Sequence, residues 1–360
     1  MAKHAHNPAW AYALPLLAWI ILLAYFALPK SMIIVVLLCA ALIGGVVSAV
    51  HHAEVIAHRV GEPFGTLVLA LSVTLIESAL IVSMMLSGGD DIMTLPRDTI
   101  FAAVMIILNA IIGLSLISGG RRHGVQSFNV EGMTDALCTI AVIVGVGMVL
   151  PNFTTSTLGP TYSTSQLLFV AIACLVLFAA FTVFQTVSHR SYFVPETTGD
   201  EAHADDRPDN KTTLISLALL IVSLVAVVLS AKGNSPTLEG LLGRWGAPAA
   251  VLGIIIAAIV LLPEFGAAMR AANTNRLQAS LNLAIGSAIA SIALTIPVVA
   301  FLAIYMGWPI ELGLDAKSIV LLSLSLFVIA LTLRTGNTTL QPGVVHLVIF
   351  AIYLFFSFAP

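Results

Sequence analysis

Charged residues are scarce in this sequence: they make up 9% of its 360 residues, whereas hydrophobic residues make up 59%. A soluble globular domain carries roughly a quarter of charged residues. The composition therefore excludes an ordinary soluble enzyme and a nucleic-acid-binding domain. It leaves almost no chain for a soluble domain beside the apolar segments.

Cysteine is rare as well, and sequence motifs for cofactors are absent. Cys39, Cys138 and Cys174 each lie in an apolar segment, with spacings that match neither a disulfide framework nor a zinc motif. The sequence contains no P-loop, which excludes a nucleotide-driven pump, and no repeated filter of the kind that a channel needs. We expect no cofactor.

Long apolar stretches are what the sequence has instead. A helix that crosses a bilayer needs about 20 consecutive apolar residues. Eleven stretches approach this length: 9–28, 31–50, 64–86, 99–118, 133–150, 165–187, 212–231, 247–271, 277–303, 317–333 and 343–358. They lack the alternation of barrel strands. The sequence predicts an all-α polytopic membrane protein with about eleven transmembrane helices, surrounded by the lipid bilayer.

The basic residues predict the orientation, because Lys and Arg favour the cytoplasmic side. With the N-terminus in the cytoplasm, ten Lys and Arg residues fall inside and five outside. This distribution favours a cytoplasmic N-terminus and an external C-terminus.

An acidic segment, "VPETTGDEAHADDRPDNK", divides the chain at residues 194–211, and its composition is typical of a cytoplasmic linker. An N-terminal helix (1–30) is then followed by five apolar stretches before the linker (31–193) and five after it (212–360). An odd number of spans makes the second half enter the membrane from the opposite side. Inverted repeats of this kind are a recurrent plan of secondary transporters.

Each half contains one deep glutamate. Glu77 lies about 3 Å from the centre of its stretch and Glu264 about 7 Å from the centre of its own, at 1.5 Å per residue. A charged group at this depth costs about 2.5–3.5 kcal/mol and usually faces the protein interior or a wet cavity. With no deep Lys or Arg to pair with, the carboxylates must be protonated, bound to a cation, or both in turn. We expect the two to meet inside the bilayer.

Other oxygen ligands can be proposed around the glutamates. Pro263 removes a backbone donor and frees a carbonyl beside Glu264. Asn109 is central in its stretch, and Ser287 and Ser291 share one helix face. Close helix packing would explain the two serines equally well. Oxygen ligands suit hard cations such as Na⁺, K⁺ and Ca²⁺.

The stretch "HHAEVIAHRVGEP" places three histidines and a glutamate before the Glu77 segment. His51, His52, His58 and Glu62 are candidates for a cytoplasmic vestibule, or else interfacial residues on an amphipathic turn. His346 begins the last stretch, where it is either a relay or, as we favour, a packed core group.

These features resemble the calcium/cation antiporter superfamily. "HHAEVIAHRVGEPFGTLVLALSVTLIESALI", "PEFGAAMRAA", "LNLAIGSAIASIALTIPVV" and "HLVIFAIYLF" are similar to the bacterial ChaA-type sodium–potassium/proton and calcium/proton antiporters. The resemblance implies that Glu77 and Glu264 bind cation and protons in turn, with Asn109 and Ser287, and less securely Ser291, completing the site. It also implies a multi-pass protein of the bacterial cytoplasmic (inner) membrane.

The sequence departs from the pattern of calcium/proton exchangers at both glutamates. The Gly-Asn-Ala-x-Glu motif is replaced by residues 73–76 and 260–263, none of which is Asn, and Ala290 stands where a glutamine is expected. Fewer side-chain ligands favour a monovalent cation.

The leading hypothesis is an antiporter that exports Na⁺, K⁺ or Ca²⁺ in exchange for H⁺ by alternating access. An intramembrane enzyme that uses the two carboxylates is the alternative, although aspartic-protease motifs are absent. Apart from this departure from the exchanger pattern, the sequence does not rank the three cations, and it leaves a homo-oligomer open.

Overall fold

The computed structural model of the protein describes residues 7–27, 31–61, 64–86, 93–193, 208–244, 246, 248 and 250–359. Nearly all of this part of the chain is helical. The α-helices are α1 (Ala9–Ala27), α2 (Met32–Val60), α3 (Phe64–Met85), α4 (Leu95–Met105), α5 (Ile112–His123), α6 (Val130–Val144), α7 (Thr164–Val183), α8 (Asn210–Arg244), α9 (Ala250–Val260), α10 (Leu262–Asn273), α11 (Leu277–Met306), α12 (Ala316–Thr332) and α13 (Leu340–Phe358).

Short segments of other geometry interrupt or extend these helices. Three π-helical segments occur at Ile106–Ile111, Gly145–Val149 and Phe184–Ser188, and two 3₁₀ turns at Leu150–Phe153 and Arg190–Tyr192. Strands β1 (Gln126–Ser127) and β2 (Asn337–Thr338) pair antiparallel, Gln126 opposite Thr338. The segment Ile106–Ile111 joins α4 to α5, so residues 95–123 form one continuous rod with a π-bulge in its middle.

The helices fit the predicted membrane spans. Among the described helices, nine are long and apolar enough to cross a bilayer, and α9 with α10 forms a tenth candidate that is bent by 53°. The predicted stretch 317–333 corresponds to α12, whose 17 residues make it a shorter apolar helix. The structure confirms an all-helical polytopic membrane protein, and the count of eleven spans stays a prediction.

Two helices extend well beyond the apolar stretches from which they were predicted. The stretch 31–50 becomes α2, which continues to Val60, and the stretch 212–231 becomes α8, which continues to Arg244. Packing explains the second extension, because Asn234 and Ser235 beyond residue 231 are buried. A hydropathy window sees only the apolar part of such helices.

The chain forms two compact units. The first contains residues Met1–Gly89 and Thr197–Gly246, and the second contains Asp90–Glu196 and Ala247–Pro360. Each unit therefore combines segments from both sides of the predicted linker, most of which lies outside the described residues. The division into an N-terminal helix and two inverted repeats stays a prediction.

The first unit consists of α1, α2, α3 and α8, which polar side chains tie together. Tyr25 Oη donates to the carbonyl of Gly233 at 2.9 Å, and Trp19 Nε1 donates to the carbonyl of Val222 at 3.1 Å. Asn7 Nδ2 donates to Ser216 Oγ at 3.0 Å. In an apolar medium such bonds join helices, because a buried polar group without a partner is costly.

The second unit contains α4–α7 and α9–α13. Helices α5 and α13 cross where two glycines meet. A Cβ built on Gly343 would lie 2.6 Å from the carbonyl oxygen of Gly113, and one on Gly113 would lie 3.1 Å from the Cβ of His346. The missing side chains allow the two backbones to approach closely. This crossing brings the beginning of α13 against the rod that carries Asn109.

Candidate functional site

Glu77 lies in the interior of the first unit. Its side chain sits on α3 and is 2% exposed. Thr74, three residues before Glu77, is its neighbour on the helix surface, and Ser78 follows Glu77 directly; both are buried. Ser72 is half-buried, and its hydroxyl donates to the Val68 carbonyl of its own helix at 2.8 Å. Of the three hydroxyls near Glu77, those of Thr74 and Ser78 are therefore the stronger candidate ligands.

Glu264 lies in the second unit, at a break between two helices. It occupies the first turn of α10 and is 6% exposed. Pro263 precedes it, and its missing N–H leaves the carbonyl of Ile259 without the usual helical donor. The 53° bend confirms the predicted break. The positive end of the α10 dipole stabilises negative charge at this position, an effect that the sequence alone did not indicate.

Asn109 lies at about the same height as Glu264 in the second unit. Helices α5 and α10 run side by side, because Ser115 Oγ lies 3.9 Å from the sulfur of Met269 and Ser118 bonds to Asn273. Asn109 is six residues before Ser115, about 9 Å along the axis, and Glu264 is five before Met269, about 8 Å. The two side chains therefore start from one level.

Ser287 is on that level too. The turn between α10 and α11 centres on Asn275, which has a left-handed φ of 59°. Glu264 lies eleven residues before this turn, about 17 Å, and Ser287 lies twelve residues after it, about 18 Å. Ser287 is half-buried, and Ser291, one turn further along α11, is 4% exposed.

The π segment Ile106–Ile111 brings the elements of this level together. It packs against α10, α11, α12 and α13, and it contains Asn109, which is fully buried. Single-turn π-bulges in α-helices are frequent at functional sites. Three of the predicted site residues of the second unit, on three different elements, thus share one depth around this segment.

Asn109 has partners that the sequence did not reveal. Its Nδ2 donates to Ser325 Oγ on α12 at 2.9 Å, and its Oδ1 lies 3.3 Å from Nδ1 of His346 on α13. Thr332 Oγ1 lies 3.2 Å from Nε2 of His346. Ser325 and Thr332 were not predicted as site residues. The one signal for them in the sequence was their polarity within an apolar stretch.

Three of the four predicted vestibule residues, His51, His52 and His58, lie on α2, which continues beyond the predicted stretch to Val60. His52 is fully buried and its Nε2 lies 3.0 Å from the Ala11 carbonyl of α1. The ring of His51 contacts that of Trp10 in a tilted arrangement, with the ring centroids 4.8 Å apart, and His58 is exposed. Glu62 lies outside the described residues. The contacts of His51 and His52 tie α1 to α2, and a role in a vestibule stays a prediction.

A cation at these positions would need hydroxyl, amide or backbone oxygens beside the carboxylates. Across the residues that the structure describes, three or more His, Cys, Asp or Glu side chains are nowhere grouped as a metal site. Mixed oxygen ligation with little charge suits hard, exchangeable cations.

Comparison with known proteins agrees with this architecture. The family model of the sodium/calcium exchanger protein matches residues 30–187 and 215–359. The "Putative ionic transporter y4hA" of Sinorhizobium fredii is 42% identical over 99% of this chain and 98% of its own length. The sodium-potassium/proton antiporter ChaA of Escherichia coli is 36% identical over 96% of this chain and 95% of its own.

Solved structures show the same fold. The structure of native YfkE superposes with a TM-score of 0.73 at 17% identity, covering 97% of this chain and all of the other. The structure of the H⁺/Ca²⁺ exchanger CAX gives a TM-score of 0.73 over 96% of this chain and 87% of the other, also at 17% identity. The chain thus belongs to the sodium/calcium exchanger family of the calcium/cation antiporter superfamily, in its ChaA-type branch.

Proposed function

We propose that the protein is a secondary active antiporter that exports Na⁺, K⁺ or Ca²⁺ in exchange for H⁺. The observation that carries this proposal is the 36% identity, over 96% of the chain, to a relative named as a sodium-potassium/proton antiporter. The buried carboxylates of Glu77 and Glu264 supply groups that could bind both kinds of ion. The relatives are named as antiporters and exchangers, and they give no support to an intramembrane enzyme.

The chemistry of Glu264 would rest on two opposing environments. Removal from water favours the protonated acid, whereas the positive end of α10 and a bound cation favour the carboxylate. A cation that reaches the oxygens therefore displaces the proton, and a proton that returns displaces the cation. Glu77 would exchange its proton in the same way on α3, where Thr74 and Ser78 lie beside it.

Competition at shared oxygens couples the two ions without a covalent step. Each ion lowers the affinity for the other, and a carrier that opens to one side at a time then moves them in opposite directions. The proton gradient can in this way drive the cation out of the cell.

The identity of the cation belongs to the same proposal. Asn109, Ser287 and Ser291 would add neutral oxygens at the level of Glu264, and the family asparagine before each glutamate is missing. Low ligand charge favours Na⁺ or K⁺ over Ca²⁺. We place the protein in the bacterial cytoplasmic membrane, with the N-terminus inside and the C-terminus outside.

Transport in everted membrane vesicles tests the proposal. Respiration acidifies the vesicle lumen and quenches a pH-sensitive dye, and an added cation that enters the vesicles in exchange for protons raises the lumenal pH and restores the fluorescence. We expect recovery with the wild type and none with Glu77→Gln or Glu264→Gln. Glu131→Gln is the matched control, because Glu131 is exposed on α6. Full recovery with both glutamine variants at the buried positions would remove the site, and no recovery with wild type under any of the three cations would remove the function.

A further inference from the structure

Four buried polar side chains of the second unit form one connected chain, which we call the Asn109 network. It runs from Ser325 through Asn109 and His346 to Thr332, with distances of 2.9, 3.3 and 3.2 Å. Ser325, Asn109 and His346 are fully buried, and Thr332 is 8% exposed. Its members come from the π segment, α12 and α13, so the network joins three elements.

The direction of hydrogen bonding in the network can be derived from its first member. The hydroxyl of Ser325 donates to the Leu321 carbonyl at 2.8 Å. Its remaining lone pairs must accept, so the group of Asn109 that faces it is the NH₂. The carboxamide oxygen of Asn109 then faces His346, and Nδ1 of the imidazole must carry the hydrogen.

The other end of the network agrees with this assignment. In a neutral imidazole with hydrogen on Nδ1, Nε2 is an acceptor. The hydroxyl of Thr332 lies 3.2 Å from Nε2 and 2.9 Å from the Val328 carbonyl, and in this arrangement its one hydrogen goes to Nε2. The imidazole also interacts with the backbone of Leu108. Each polar atom of Asn109 and of the imidazole therefore has a partner, and turning the amide over would break its bonds to Ser325 and His346.

We propose that His346 is a positioning residue of the cation site. Its imidazole holds the Asn109 carboxamide in one orientation. This inference rests on the proposed function, in which the Asn109 oxygen is a cation ligand. A carbonyl oxygen has two lone pairs. The His346 N–H takes one of them and leaves the other for the cation, so a cation meets an oxygen that is already in place.

The two glycines at the crossing of α5 and α13 explain how His346 reaches Asn109. Gly113 lies four residues after Asn109, and Gly343 lies three residues before His346. These spacings put each glycine on the face of its helix that carries the polar residue. The close approach of the backbones there sets the distance between the two side chains.

Two conservative replacements of His346 separate positioning from packing. An asparagine places an amide nitrogen near the position of Nδ1 and can still donate to Asn109. A glutamine places its amide near Nε2, so it keeps the contact to Thr332 and loses the one to Asn109. In the vesicle assay we expect His346→Gln to raise the cation concentration for half-maximal recovery about threefold to tenfold, the effect of one lost hydrogen bond. We expect His346→Asn to stay near wild type, with similar maximal recovery for both.

The network offers further variants that keep the test decisive. Ser325→Ala removes the acceptor on the other side of Asn109 and should raise the half-maximal cation concentration in the same way. Thr332→Val removes only the far contact and should change it little. Should His346→Gln fail to fold, Ser325→Ala decides the question alone.

Three results would overturn the inference: a wild-type half-maximal concentration in His346→Gln, equal impairment in His346→Asn and His346→Gln, or a wild-type value in Ser325→Ala. The proposed function fails separately, when the wild type shows no recovery with any of the three cations, and the glutamate site fails when Glu264→Gln and Glu77→Gln still transport. If these two variants lose transport while the His346 variants keep the wild-type half-maximal cation concentration, only the positioning role of His346 is ruled out.

Discussion

Glu77 and Glu264 have different surroundings although both are buried carboxylates. Glu77 lies in the middle of the continuous helix α3, beside two buried hydroxyls, and the helix gives it no dipole end. Glu264 lies in the first turn of α10, where the helix dipole supports its charge. The two carboxylates therefore have different electrostatic surroundings.

Ser78→Ala and Ser72→Ala provide a matched pair on α3. Ser78 is buried and follows Glu77 directly in the chain, whereas Ser72 is half-buried and lies five residues away. We expect Ser78→Ala to raise the half-maximal cation concentration about tenfold, as the loss of about 1.4 kcal/mol from one ligand would, and Ser72→Ala to have no effect. Equal behaviour of the two variants in the vesicle assay would contradict the assignment.

The sequence predicts single residues well where an isolated charge or amide stands in an apolar stretch. Glu77, Glu264 and Asn109 were found in this way, because desolvation is costly whatever the partners are. The partners of Asn109 could not be found, since Ser325 and His346 are 216 and 237 residues away in the chain. Contacts between residues so far apart in the chain depend on how the helices pack, and the local sequence gives no information on this packing.

At the scale of elements, the break between α9 and α10 distinguishes the two glutamate segments. Pro263 and the bend of 53° place Glu264 at a helix N-terminus, whereas α3 runs straight through Glu77. The proline made this break predictable. The π segment at Asn109 was not predictable, because "IILNAI" contains no proline or glycine that would mark a departure from α-helical geometry.

Pro263→Ala tests the role of the break. The ring of proline and its missing N–H together disfavour a helix interior by about 3 kcal/mol, and alanine removes both effects. We expect α9 and α10 to approach one continuous helix, with a higher melting temperature in detergent and a loss of most transport activity. Pro15→Ala is the control, since α1 carries no candidate site residue. Full activity in Pro263→Ala would contradict a function for the bend.

Gly343→Ala tests the crossing of α5 and α13. The new Cβ would lie 2.6 Å from the Gly113 carbonyl oxygen, so the helices must move apart. Overpacking of this kind costs about 1–3 kcal/mol, and we expect a lower melting temperature together with weaker cation affinity. For Gly240→Ala on α8, whose Cβ would meet no described atom within 4 Å, we expect neither effect. If Gly343→Ala folds and its cation affinity is unchanged, the helix crossing does not determine the contact between His346 and Asn109.

At the scale of the whole molecule, the sequence predicts architecture through composition. The apolar stretches correspond to the apolar helices, and the resemblance to antiporters of the ChaA type agrees with the family match. The two compact units could not be predicted, because each combines segments from both sides of the linker. Hydropathy orders helices along the chain and contains no information on which of them pack together.

The orientation in the membrane is open to a direct test. The excess of Lys and Arg on one side predicts an external C-terminus. A C-terminal alkaline phosphatase fusion should be active, because this enzyme folds only outside the cytoplasm, and a C-terminal green fluorescent protein fusion should be dark. The reverse pattern would show that the C-terminus lies in the cytoplasm.

Proton release from the purified protein tests most directly whether cation and proton exclude each other at the glutamates. In weakly buffered detergent solution, addition of Na⁺, K⁺ or Ca²⁺ to wild type should acidify the medium in proportion to the protein. The double variant Glu77→Gln, Glu264→Gln should release no protons, while the exposed control Glu131→Gln should behave as wild type. A double variant that binds the cation and releases as many protons as wild type would contradict the account.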